Sequence, residues 1–452
     1  MTPLEPTDAD RYPLLTGAGR RMLDFLREHP SAPLYRNHSG HRLDDDDLAA
    51  VLREETAVLA ADTGWPRARH PAWLETFVAE SRHDVPRYSS YDSTARFDTL
   101  PTITRADLGR DITAFVPDSL ELDRLINFQT SGTTGHPLLI PSHPRVAAGY
   151  LAYHKRALRR FGVTLTAGRG QVGVVLIGCQ LTCFTYVSVT PSMDEAGLAK
   201  INLHPADWRD PADRARYLEA LAPEVIAGDP LSFTELLAVA PALRPKALLS
   251  TSMTLLPGLR EKLAAAFACP VLDLYSLNEA GPVAVFDPAL DGHVLLQPRL
   301  YVEILDPDGR PVPDGARGEI TLTGGFNFCL PLLRYRTGDF ASLDFVRGEP
   351  VLRALEGRPL VRFRHPDGSW LNNIDVTHVL RPLPLARFSL HQRADAVFEF
   401  SVDGPATSVR DAHEALARLF GPSARIESRP FAPTAGSTKI PQYSSALPGS
   451  DA

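Results

Sequence analysis

Residues Phe128 to Pro137 read Phe-Gln-Thr-Ser-Gly-Thr-Thr-Gly-His-Pro, a run whose composition suits phosphate chemistry. Gly132 and Gly135 let the backbone turn tightly, and a tight turn can present successive amide N–H groups to an anion. Ser131, Thr133 and Thr134 place hydroxyls in the same turn, able to bond phosphate oxygens or to join the oxygen shell of Mg²⁺. A Walker loop requires Gly-Lys-Ser/Thr at this point. Here Gly135 is followed by His136 and Pro137, which argues against a Walker NTPase. By itself a Ser/Thr/Gly cluster is also an ordinary polar loop, so its meaning depends on the rest of the chain.

Further islands of chemistry follow it. Asp273-Leu-Tyr-Ser-Leu-Asn-Glu-Ala-Gly281 begins at the end of an expected strand, where layered α/β sheets commonly bind ligands. Tyr275 there offers a face for a purine, and Glu279 an oxygen for Mg²⁺. Leu333-Arg-Tyr-Arg-Thr-Gly-Asp-Phe340 sets Asp339 beside a glycine turn, suited to accept both hydroxyls of a ribose. Glu356-Gly-Arg358 stands where the texture of the chain changes, and its guanidinium can reach a nucleotide from a moving domain. Thr434-Ala-Gly-Ser-Thr-Lys-Ile440 carries Lys439. The other lysines are Lys155, Lys200, Lys246 and Lys262, so a lysine on this Gly/Ser/Thr loop is a conspicuous mobile charge.

Composition bounds the class. The chain has 452 residues, 44% hydrophobic and 22% charged, which implies a soluble globular protein of more than one domain. A formal net charge of −7 without a Lys/Arg block argues against nucleic acid or an anionic membrane as partner. The N-terminus lacks the basic start and apolar run of a signal peptide, and a cytoplasmic location is expected. Cys179, Cys183, Cys269 and Cys329 have no matching His/Cys pair at zinc spacing and read as reduced, buried residues. Asp44–Asp47 precedes an apolar-periodic stretch and reads as a charged helix N-terminus.

Several elements must position these groups. Helices are expected within the first 100 residues, at Arg20–Arg27 and Leu48–Leu59, and then at Ala147–Phe161. Strand Val172–Ile177, helix Asp213–Leu221, strand Glu224–Ala227, helix Leu231–Val239, strand Ala247–Ser250, helix Leu259–Phe267 and strand Val271–Leu274 alternate. That alternation implies a mainly parallel layered sheet. Short strands with Gly/Pro/Asp turns, Tyr301–Leu305 and Gly318–Thr323, imply a β-rich subdomain. Beyond Gly357, strand Ala396–Val402, helix Ser408–Phe420 and strand Arg425–Ser428 suffice for a small α+β domain. The expected fold is α/β: a large layered domain over 1–357, opening with a mostly helical segment 1–84, and a small mobile lid over 358–452.

In this order and spacing, the islands resemble the adenylate-forming superfamily of acyl-CoA synthetases and adenylation domains, in its phenylacetate-CoA ligase-like branch. The phosphate loop resembles Thr130–Pro137, the Tyr-Gly-x-Thr-Glu motif resembles Tyr275–Glu279, and the Tyr-Arg-Thr-Gly-Asp motif is Tyr335–Asp339. Gly357-Arg358 matches the hinge and Gly436–Lys439 the C-terminal lysine loop. Val85-Pro-Arg-Tyr88 and Leu100-Pro-Thr-Ile-Thr-Arg-Ala-Asp-Leu108 are similar to the branch's opening segment.

The resemblance implies activation of a carboxylic acid, aromatic or small and hydrophobic, by ATP and Mg²⁺ to an acyl-adenylate. Coenzyme A is then the default acceptor, with carrier-protein phosphopantetheine or an amine as alternatives. It implies nucleotide contacts at Ser131, Gly132, Thr133, Thr134, Gly135, His136, Ser252, Tyr275, Ser276, Asn278, Asp339 and Arg358. Lys439, Glu279, Thr133 and Thr134 would be catalytic, Glu279 and Thr133 near the metal, and Phe184, Tyr186, Gly228 and Tyr275 around the acyl group. The chain would be a monomer or homodimer. It departs from the family's pattern at His136 in place of lysine, at Ser276-Leu277-Asn278, at the glycine-free Ser250–Leu255 turn, and at Pro359-Leu360 after the hinge arginine. These departures bear on substrate choice and the second half-reaction. They also keep in play a non-catalytic nucleotide- or acyl-binding homologue.

Overall fold

The computed structural model describes residues 6–67, 69–92, 94–129, 138–179, 183–357, 361–380, 382–385, 387–431, 442–448 and 450. Its organising element is one mixed sheet of 13 strands. Strands Val172–Gly178, Val225–Gly228, Ala247–Ser250 and Val271–Leu277 are parallel neighbours in that order, and Ala196–Asn202 extends the parallel run on the far side. Their burial patterns are nearly continuous, as expected of strands covered on both faces. One face packs Gly17–Glu28, Asp213–Leu221, Pro230–Val239 and Pro257–Phe267 around Val175, Ile177, Ile226 and Leu248. The other packs Pro144–Arg160, through Tyr153, Ala157 and Leu158, against Val225, Leu249 and Leu272. The helix and strand alternation expected from the sequence is therefore present, with ends shifted by a few residues.

Beyond Leu277 the sheet reverses. Gly281–Asp287 returns antiparallel to Val271–Leu277, followed by Gly292–Leu295, Glu349–Gly357, Leu332–Val346, Arg317–Gly324 and Leu300–Leu305. The sequence set Asp339 beside a glycine turn within the segment Leu333–Phe340. The structure runs that segment through a 15-residue strand kinked at Gly338, whose φ is 77°. Residues 361–445 form their own core around Phe363, Phe388, Phe398, Phe400 and Phe420, with a sheet ordered Ile426–Pro430, Phe398–Asp403, Arg387–Gln392, Tyr443–Ser445. Leu256 joins this core, and a Cβ at Gly258 would collide with the backbone at Pro382 and Leu383, so the two parts meet closely there. Among the described residues, no helix is long and apolar enough to cross a membrane.

The Leu332–Val346 strand is anchored by a buried ion pair. Arg334 reaches Glu303 through Nε at 3.1 Å and Nη2 at 2.9 Å, and both side chains are at most 4% exposed. Its remaining donors go to the carbonyls of Asp98, Leu100 and Gly309, so every guanidinium N–H is used. Removing one partner of such a pair leaves an uncompensated charge, which costs roughly 3–5 kcal/mol. Arg334→Met should lower unfolding free energy by about that amount in urea titrations. Arg334→Met/Glu303→Gln should recover part of it, and an unchanged midpoint for the single variant would show the pair to be structurally idle.

Candidate functional site

The site is assembled where the parallel half of the sheet gives way to the antiparallel half. Strand Val271–Leu277 carries Tyr275, and the short turn after it carries Glu279, which is buried. Strand Leu332–Val346 carries Tyr335 and Asp339. The Tyr275 hydroxyl donates to Asp339 Oδ2 at 2.8 Å, joining motifs 64 residues apart. Burial first, and then the Asp339 carboxylate, hold that hydroxyl protonated, with its pKa well above the ordinary tyrosine range. Asp339 also stands opposite Gly357 in the ladder, so the backbone leading to Arg358 passes beside it. Thr337 Oγ1 accepts from the Asp339 amide at 3.1 Å and donates to the Ile320 carbonyl at 2.9 Å, fixing the kink.

Arg105 completes this cluster, although nothing within its own segment of sequence singles it out. Residues Ile103–Thr104 pair parallel with Tyr335–Arg336, and Thr104 and Asp107 form a capping box that starts the next helix. This geometry delivers Arg105 Nη1 to within 2.6 Å of Glu279 Oε1. The buried carboxylate is thereby paired. Tyr335 lies against it, its hydroxyl pushed well above the usual range by burial first and then by the Glu279 charge. Arg336 is occupied elsewhere. Its Nε holds Glu319 Oε2 at 2.6 Å, while Glu319 Oε1 accepts from the Gly338 amide at 2.9 Å.

Gln297 fixes the turn itself. It is 1% exposed, donates to the Ala280 and Pro282 carbonyls at 2.6 and 2.8 Å, and accepts from the Phe326 amide at 3.1 Å. Gly281 lies between those two carbonyls at φ 69°, and a Cβ there would collide with the Phe326 ring. A lone glutamine in a loop carries no sequence signal for this role. Leaving three backbone groups unpaired by Gln297→Leu should cost about 2 kcal/mol or more. A thermal melt superimposable on the wild type would remove the bracing role.

The other expected residues are spread around this centre. Ser252 lies exposed in the turn after Ala247–Ser250, at φ 71°. Ser276 is half-buried and Asn278 exposed beside Glu279. Gly228 ends its strand against Ile177. Phe184 and Tyr186 pair with each other, ring centroids 5.7 Å apart, on the Tyr186–Thr190 edge. In the strand order that edge stands five steps from Val271–Leu277, on the order of 24 Å across the sheet, so the structure does not bring them to Tyr275. Ser131, Gly132, Thr133, Thr134, Gly135, His136, Arg358 and Lys439 lie outside the described residues.

As for a metal, no group of three or more His, Cys, Asp and Glu side chains that could hold one is gathered among the described residues. A single carboxylate such as Glu279 is nonetheless compatible with Mg²⁺, which keeps waters and takes its remaining ligands from substrate phosphates.

A second, largely enclosed carboxylate, Asp273, lies on the same strand as Tyr275 with its side chain 18% exposed. Burial raises Asp273 to about 7 despite the opposing charge of Arg260, and His293 Nε2 stands 4.0 Å from its Oδ2. An unfolded aspartate titrates near 3.9, so between about pH 4 and pH 7 the native state holds a proton that the unfolded chain has lost. Stability from this group therefore falls as pH rises across that window. Asp273→Asn should flatten that part of the Tm–pH curve, and an unaltered slope would place the titration elsewhere.

This is a mixed sheet whose parallel run gives way to antiparallel strands at a buried carboxylate, with Tyr275, Glu279 and Asp339 gathered at that change. Residues 41–328 match the family described as AMP-binding enzyme. The match spans more than half of the chain, and the protein belongs to that family. It is 34% identical over 89 residues to phenylacetate-coenzyme A ligase of Escherichia coli (strain K12), covering 19% of this chain and 20% of that protein. With phenylacetate-coenzyme A ligase of Pseudomonas putida the identity is 35% over 99 residues, covering 21% and 23%. The aligned segment thus spans less than a quarter of those relatives' length. A solved 2-hydroxyisobutyryl-CoA ligase in its postadenylation state shares the fold, with a TM-score of 0.62 and 16% identity over 86% of this chain and 89% of that one.

Proposed function

We propose that this protein activates a carboxylic acid with ATP, forming an acyl-adenylate and pyrophosphate, and passes the acyl group to a thiol, by default that of coenzyme A. The observation that carries this reading is the meeting of Tyr275 and Asp339, with Glu279 and Arg105 beside them, at the reversal of the sheet. In the reaction the substrate carboxylate oxygen attacks the α-phosphorus, a new P–O bond forms, and the bond to the pyrophosphate oxygen breaks. Such chemistry depends on alignment and charge stabilisation and needs no protein nucleophile.

The chain's own residues supply that alignment. Tyr275 and Asp339 frame the nucleoside together with Arg358. The Ser131–Gly135 loop cradles the phosphates, Glu279 contributes the carboxylate beside them, and Arg105 pairs with that carboxylate in its buried position. Mg²⁺ would be held by Glu279 and Thr133 and would neutralise phosphate charge. Residues 358–452 act as the lid that brings Lys439 to the substrate carboxylate and nucleotide oxygens. Family membership and the partial identity with phenylacetate-coenzyme A ligases support this assignment.

The test is a carboxylate panel with ATP, with and without coenzyme A, reading pyrophosphate and AMP and identifying products by mass. AMP and acid-dependent pyrophosphate are expected. ADP, or no acid dependence, would overturn the reading, and a carrier-protein or amine product would overturn the choice of acceptor. Lys439→Ala should lose adenylation by orders of magnitude while ATP still binds. Unchanged pyrophosphate release would remove the lysine from the reaction.

A further inference from the structure

A cavity of about 450 Å³, within the size range of small-molecule pockets, opens beside strand Leu300–Leu305 at the outer edge of the antiparallel half of the sheet. Tyr301 and Glu303 share one face of that strand by its two-residue period, and both line the cavity. Strand Leu332–Val346 reaches it with Leu343 and Phe345. Phe345 stands six residues beyond Asp339, on the order of 20 Å along an extended chain, so the cavity is separate from the cluster around Tyr275 and Glu279.

The walls are aromatic. Trp65 meets Tyr301 edge-on with ring centroids 4.7 Å apart, and Phe345 edge-on at 6.2 Å. His70 stands edge-on to Tyr301 at 5.4 Å. A proline turn completes the lining, where Pro311 bridges Leu305 and the Val312 amide donates to the Ile304 carbonyl at 3.0 Å.

The carboxylates of the lining are already matched. Asp98 lies 3.1 Å from His70 and 3.4 Å from Arg96, Asp314 holds Arg67 at 2.7 Å, and Glu303 holds the buried Arg334. Arg69 also lines the cavity, and among the described residues its side chain has no ion-pair or hydrogen-bond partner. One guanidinium charge is therefore left for a ligand. A mono-anion matches it, whereas the extra charge of a phosphate dianion would face Asp98 and Asp314 unbalanced.

We infer that this cavity is a second ligand site, apart from the adenylation site, for a small aromatic monocarboxylate. Its ring would lie against Trp65 and Tyr301, and its carboxylate on Arg69. Aromatic walls favour a flat ring, and a guanidinium presents paired N–H donors that match a carboxylate. Binding here needs neither ATP nor turnover, so the inference does not rest on the adenylation reading.

The experiment titrates the full chain with para-bromophenylacetate without ATP. Its bromine quenches a tryptophan on contact, so Trp65 reports occupancy of this cavity. A saturable quench is expected in the wild type, and folded Trp65→Phe should lose it. Arg69→Gln, at an exposed position, should raise the midpoint about fivefold with an unchanged melting curve, and the neutral para-bromophenylacetamide should bind the wild type weaker by a similar factor. In crystals soaked with the acid, anomalous scattering should place the bromine beside Trp65. A quench that does not saturate or persists in full in Trp65→Phe, an unshifted midpoint in Arg69→Gln, or bromine found only elsewhere would overturn the inference. Displacement of the acid by AMP at lower concentration than by phenylacetate would overturn the choice of a monocarboxylate.

Discussion

The structure depends on one change of direction. From Ala196–Asn202 through Val271–Leu277 neighbouring strands run parallel under helices on both faces, and Gly281–Asp287 and Gly292–Leu295 then follow antiparallel. A parallel strand cannot hand the chain to an antiparallel one without a tight turn, and the turn used here is Asn278–Ala280. The backbone must enter the left-handed region at Gly281, where the Phe326 ring leaves no room for a side chain. Its carbonyls are closed off by Gln297. Glu279 is therefore held rigidly because it sits at a position the topology already constrains. A carboxylate on a free loop would need its own ordering.

Burying that carboxylate sets the electrostatics around it. A charge removed from water requires a partner and filled hydrogen bonds. Arg105 directly follows the two-residue strand Ile103–Thr104 that pairs parallel with Leu332–Val346, and the capping box around it fixes where its side chain begins. The tyrosines at the site stay protonated for the same reason. With Glu279 and Asp339 nearby, ionising Tyr275 or Tyr335 would put a second negative charge into low-dielectric surroundings. Tyr275 thus keeps its single hydroxyl hydrogen on Asp339, a donor–acceptor pair of fixed polarity.

Much of the architecture was legible because it is periodic. The apolar runs of the parallel strands and the amphipathic helices between them mark elements whose ends the structure moves by only a few residues, as in Pro257–Phe267 against the expected Leu259–Phe267. The long Leu332–Val346 strand was not legible, since Thr337-Gly338-Asp339 carries turn chemistry and only the ladders on both sides hold it extended. Tyr275, Glu279 and Asp339 could be singled out by type and setting. Their mutual contact could not, because it joins segments far apart in sequence. Arg105 and Gln297 escaped for the opposite reason: their roles are set by what folds against them, and nothing local distinguishes them from surface residues.

The Leu333–Phe340 segment shows how one stretch serves two purposes. Arg334, held at φ 48°, spends its whole guanidinium on Glu303 and three carbonyls, and Arg336 spends its own on Glu319. Neither arginine is available to a phosphate in this arrangement. They pin the strand on both sides of Tyr335, and Glu319 then catches the amide of Gly338, so the kink that aims Asp339 at Tyr275 is built from buried charge. The site's geometry thus reaches outward through the antiparallel half of the sheet. Its precision rests on ion pairs that no substrate touches.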